Sequence, residues 1–233
     1  MANKAEKKDP LELEKAQLDA EAKSSGLSVK LTCISGKIFS FIKLALGVCF
    51  LPFVYSISAS FLNEFSLIDK PYQDYFWQGI LTFLVIFLFV WEPAIIYAKG
   101  QKILEVIFKF FTPLVKVAPY VLPIYTIILF IFYKLFSIGI HSRWLVDYTV
   151  SLLGLSVAFH LVFSAKSIRS KKGDFLKANY IFGFSFIYIT NILLLAFCFN
   201  LIFEKYSFVN FFNNSFGLGK NIFWSIFKQL FLR

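Results

Sequence analysis

A chain of 233 residues with 58% hydrophobic and 20% aromatic side chains, but only 16% charged ones, lacks the polar surface that a water-soluble domain of this length needs. Its formal net charge of +10 comes from lysines at the ends of apolar segments, with no basic cluster interleaved with stacking aromatics. That pattern excludes nucleic acid as a partner and points to topology and to anionic lipid headgroups.

The hydrophilic tail, residues 1–36, carries a helix-start signal in "DPLE": Asp9 as N-cap, Pro10 at the first position, Glu12 reaching back. A short cytosolic helix is expected there, followed by the "SSG" linker. No signal peptide is expected, because the first apolar segment begins late and lacks a small-residue cleavage site.

Five segments within 37–203 are long enough to cross about 30 Å of hydrocarbon: 38–62, 75–98, 117–140, 145–165 and 178–203. Sixteen basic residues, in groups of seven, four and five, fall in the N-terminal tail, the 99–116 connection and the 166–177 connection. The opposite side holds six. The positive-inside rule then puts the N-terminus in the cytoplasm and the C-terminus outside, in a plasma membrane or, for a prokaryote, the bacterial inner membrane.

Span two ends in "VWEPAIIYAKG", where Glu92 and Pro93 interrupt an apolar run. A carboxylate there needs a partner, and proline removes one backbone donor. Depth matching suggests Lys43, in span one, with His160 of span four able to join them. The same argument pairs Lys134 with Asp147 near the outer ends of spans three and four, although Lys134 also has the length to snorkel.

Lys102, Glu105, Lys109, Thr112 and Lys116 recur at helical period, so an interfacial helix is expected over 101–112, with Pro113 and Pro119 breaking the chain before span three. Ser56 with Ser60, and Gly154 with Ala158, are spaced for close helix contact. Asn191, near the middle of span five, is expected to bond another helix. Lys166, Arg169, Lys171, Lys172 and Lys177 form a basic connection suited to anionic headgroups. The tail, 204–233, reads as an amphipathic membrane-surface segment, and Gly217, Gly219, Lys220 and Asn221 count against its being a sixth span.

Catalytic signatures are absent. There is no HExxH, GxSxG, P-loop or GxGxxG, and Cys33, Cys49 and Cys198 show neither CxxC nor metal-ligand spacing. No cofactor and no enzymatic activity are expected. The fold class that follows is an all-α integral membrane protein: a five-span helical bundle, N-terminus cytoplasmic, with amphipathic interfacial helices. The function expected is that of a non-catalytic accessory or scaffold subunit partnered by other membrane proteins and the bilayer. The alternative is a small transporter or channel with a polar site around Glu92, Lys43 and His160.

Overall fold

The computed structural model describes residues 38, 41–42, 44–90, 92–139, 142–170 and 180–231. By contact the chain divides into two units, Met1–Lys43 and Leu44–Arg233. Of the first, Ile38, Phe41 and Ile42 are described, helical and exposed. The expected N-terminal helix lies outside the described residues, as do Lys43, Lys171, Lys172 and Lys177. The rest concerns the second unit.

Every regular element among its described residues is a helix. They are α1 (Leu44–Phe65), α2 (Lys70–Val85) running on into a π-helical turn (Ile86–Val90), α3 (Ala94–Ile107), α4 (Thr112–Val121), α5 (Ile124–Gly139), α6 (Arg143–Ser170), α7 (Tyr180–Ile202) and α8 (Phe208–Phe231). Four stretches are long and apolar enough to cross a membrane: α1, α2 with its π turn, α6 and α7. The bent α4–α5 pair raises that to five if it counts as one span. These helices are compatible with a multi-pass membrane protein.

Two elements differ from the sequence expectation. Span two does not continue to residue 98. It ends in the π turn, and α3 starts at Ala94, absorbing the end of that span and most of the expected interfacial helix. Pro93 has no N–H and crowds the residue before it, so the helix closes there and restarts with Pro93 as its cap. Span three is not straight: α4 and α5 meet at 72°. Pro119 is carried inside α4 and breaks nothing; the break is at Pro123, and Leu122 before it is extended at φ −92°, ψ 125°. The tail, in which Gly217, Gly219, Lys220 and Asn221 count against a span, is one continuous helix of 24 residues that is not among the helices long and apolar enough to cross a membrane. Its start is capped by Ser207, whose Oγ accepts from the Asn210 N–H at 3.2 Å, and by Asn200, whose Oδ1 accepts from the Phe208 N–H at 2.9 Å.

Packing sets the relative directions. α1 runs parallel to α7: Phe50 stacks on Phe182 at 5.4 Å, Ser58 bonds Tyr188 at 2.8 Å, and Phe65 stacks on Phe199 at 5.4 Å. α8 runs back along α1. Phe211 meets Phe61 at 6.5 Å, a Cβ on Gly219 would touch the Phe53 ring and Ser56 Oγ, and Phe223 meets Phe53 at 5.2 Å. α2 and α6 approach most closely at Gly79 and Gly154, where backbone carbonyls of Ser151 and Phe76 fill the space a Cβ would take. The core joining these helices is aromatic, with Phe61, Phe65, Phe76, Phe199, Tyr206 and Phe211 all buried.

Candidate functional site at the break between α4 and α5

Breaking a helix at a proline frees carbonyls. In a continuous helix Pro119, Tyr120 and Val121 would give their oxygens to the N–H groups four residues on. Pro123 has none, and the change of axis turns Ile124 and Tyr125 away. Such carbonyls, buried in an apolar bundle, need other donors.

Side chains of α6 and α7 supply them. Ser164 Oγ donates to Tyr120 O at 3.0 Å, and His160 Nε2 lies 3.2 Å from the same oxygen. Asn191 Nδ2 spans both helices, donating to Val121 O at 3.1 Å and to Ile187 O, one turn back, at 2.8 Å. Tyr97 of α3 adds a further link, its hydroxyl 3.0 Å from Ser164 Oγ. One turn on, Thr126 Oγ1 and Ser156 Oγ bond at 2.9 Å, tying α5 to α6. His160, Ser164, Asn191, Thr126 and Ser156 are all buried. His160 Nε2 also lies 3.1 Å from Ser164 Oγ, so the imidazole, the hydroxyl and the Tyr120 carbonyl form one cluster. The Ser164 proton goes to Tyr120 O, leaving Ser164 Oγ to accept from Tyr97.

Of the residues singled out in the sequence, His160 and Asn191 belong to this node, and Asn191 makes the interhelical bond expected of it. Glu92 does not join them. It is half-exposed and pairs with Lys166 of α6, while the expected partner Lys43 lies outside the described residues. Lys166 is therefore drawn out of the basic connection toward α3, while Arg169 stays exposed near the end of α6. Lys134 does not pair with Asp147. Its Nζ donates to Leu201 O at 2.7 Å, capping the end of α7, and lies 5.6 and 5.8 Å from the rings of Tyr133 and Phe130. Asp147 stands apart, between α6 and α2, with Oδ1 buried and without a hydrogen-bond partner among the described residues.

Sequence reasoning missed Ser164, Tyr97 and the two carbonyls. One signal for Ser164 was present: it lies four residues after His160 and shares its face. No protein-family model, curated protein or solved structure matches this chain. Among the described residues no group of three or more His, Cys, Asp or Glu side chains gathers to hold a metal ion.

A second buried acidic group lies at the α7–α8 turn. Glu64 of α1 accepts from the Ser207 N–H at 3.4 Å. Beside it the Tyr206 hydroxyl is buried and unpartnered among the described residues. Burial, and then the neighbouring Glu64 charge, push the Tyr206 phenol above its ordinary range.

Proposed function

We propose that this protein is a non-catalytic subunit of a membrane assembly, and that α8 is the helix that meets its neighbour. The observation that carries this reading is the outward face of α8. The helix follows α1, burying Phe211, Ser215 and Gly219, and exposes Asn210, Asn213, Asn214, Lys220, Asn221 and Lys228. Asn210, Asn214, Asn221 and Lys228 recur at offsets of helical period, so one polar stripe runs along the helix. Amides facing hydrocarbon are costly, and a neighbouring protein helix removes that cost by bonding them.

α8 runs back along α1 without being among the helices long and apolar enough to cross a membrane, so up to five crossings remain the reading. The lysine-rich N-terminal tail supports placing the N-terminal side in the cytoplasm.

The test is site-directed photo-crosslinking in the native membrane. A crosslinker at Asn214 or Asn221 is expected to give a discrete adduct with another membrane protein, while one at Phe132, an exposed apolar position on α5, gives none. An adduct at twice the chain mass would replace the reading with self-association. No adduct at either asparagine would overturn it.

A small transporter is the second reading, favoured by one observation: a helix broken beside buried polar side chains is the form in which transporters hold substrates. Against it, both Asn191 N–H donors and the Ser164 proton are already spent on backbone carbonyls. Solute flux in liposomes that disappears in Asn191→Leu, with folding intact, would select this reading.

A further inference from the structure

A cavity of about 340 Å³ lies between the N-terminal halves of α2 and α6, apart from both the α4–α5 node and the α8 stripe. Its walls come from two helix faces. Tyr75, Gln78 and Thr82 lie at i, i+3 and i+7 on α2, and Trp144, Asp147 and Tyr148 sit on the first turns of α6. The two helices are locked together at the base of the cavity by the approach of Gly79 to the Ser151 carbonyl, so the walls are held by backbone packing.

The chemistry of the lining is specific. Asp147 Oδ1 is buried and has no hydrogen-bond partner among the described residues, and no ion pair to Asp147 forms among them. Two basic residues at this end are engaged elsewhere: Lys70 with Asp74 at 2.7 Å and Lys205 with Asp69 at 2.6 Å. Three aromatic side chains, Tyr75, Trp144 and Tyr148, line the same cavity, with the Trp144 and Tyr148 rings at 6.4 Å and 69° to each other. A carboxylate that lines one cavity with three aromatic side chains suits a bulky, weakly hydrated cation, which gains from the ring quadrupoles and from the charge together. A hard metal ion is held by several oxygen ligands, charged ones foremost, and Asp147 is the one carboxylate in the lining.

We propose that this cavity binds an alkylated ammonium group of the choline type, with Asp147 as counter-ion and Tyr75, Trp144 and Tyr148 as its aromatic walls. Two sources carry that group, a zwitterionic lipid headgroup and a free organic cation. The position near the ends of two apolar helices, with Trp144 and Tyr148 exposed beside it, is open to both.

The test uses the full chain purified in a maltoside detergent. Choline chloride is titrated by calorimetry at constant ionic strength, with sodium chloride as the control. Saturable choline binding is expected, weakened at least about tenfold in Asp147→Asn and in Trp144→Leu with unfolding temperatures unchanged. Tyr148→Leu serves if either variant fails to fold, since that ring is largely exposed. Repeating the titration in phosphatidylcholine and phosphatidylglycerol nanodiscs separates the sources. Choline binding blocked only in the phosphatidylcholine discs assigns the site to the lipid headgroup, and equal binding in both assigns it to a free cation. Absence of saturable binding, sodium binding equal to choline, or an Asp147→Asn protein that binds as the wild type would overturn the proposal.

Discussion

At the scale of single residues, the most consequential side chain is Asn191. Its amide group holds Val121 O, a carbonyl that Pro123 deprived of its helical donor. Removing it leaves a buried acceptor empty, which costs about 1–3 kcal/mol, whereas the apolar contact of a leucine and the loss of Asn191 Oδ1, itself buried without a partner among the described residues, return only part of that. Asn191→Leu is therefore expected to lower the unfolding temperature in detergent, and an unchanged transition would mean that water or another donor takes the place. Tyr206 is the opposite case. Its hydroxyl is buried without a partner among the described residues, so Tyr206→Phe is expected to be neutral or stabilising at pH 7. The pH dependence has a definite sign. Tyr206 keeps its proton in the folded chain beyond the point where the unfolded phenol releases it, near pH 10. Its contribution is thus complete below about pH 10 and is lost as pH rises past it. Stability measured from pH 8 to 11 should fall more steeply in the wild type than in Tyr206→Phe, and parallel curves would contradict this account.

At the scale of elements, two opposing effects meet in the α2–α6 pair. Glycine inside a helix is about 1 kcal/mol worse than alanine by propensity, so alanine at an open position should stabilise. At Gly79 a Cβ would lie 1.9 Å from Ser151 O, an overlap relieved only by moving one helix. Overpacking of that kind costs about 1–3 kcal/mol or more, and it wins. Gly79→Ala should therefore destabilise the protein, while Gly217→Ala in α8, with nothing within 4 Å of its Cβ, should be neutral or stabilising. Thermal unfolding of the two variants side by side decides the point, and the same sign of change in both would refute it.

At the scale of the whole molecule, the ion pair where α3 meets α6 contributes little to stability. Glu92 and Lys166 meet with side chains 45% and 56% exposed, in a geometry where an ion pair contributes about 0–1 kcal/mol. Glu92→Gln is expected to leave the unfolding temperature within a few degrees of wild type and to leave any assembly intact. A loss of assembly in that variant would give Glu92 a role in contacts between subunits. What holds the bundle together is the aromatic core shared by α1, α2, α7 and α8, together with the polar clamps at the α4–α5 break.

Composition and hydropathy determined the class, the apolar segments and most of their positions. Those are properties of local runs, and α1, α6 and α7 sit close to the spans 38–62, 145–165 and 178–203 drawn from them. Local chemistry also marked His160 and Asn191 as buried polar groups that would need partners. It could not say which partners, because a helix periodicity records which residues share a face and not which face of which neighbour it meets. Only the tertiary structure gave Glu92 to Lys166, sent Lys134 to a carbonyl instead of Asp147, and returned α8 along α1. The two proline breaks show why. Several prolines interrupt the apolar runs, yet Pro119 rides inside α4 while Pro93 and Pro123 end helices. At Pro123 the difference lies in donors brought from α6 and α7, far away in the chain, that bond the carbonyls the break leaves behind.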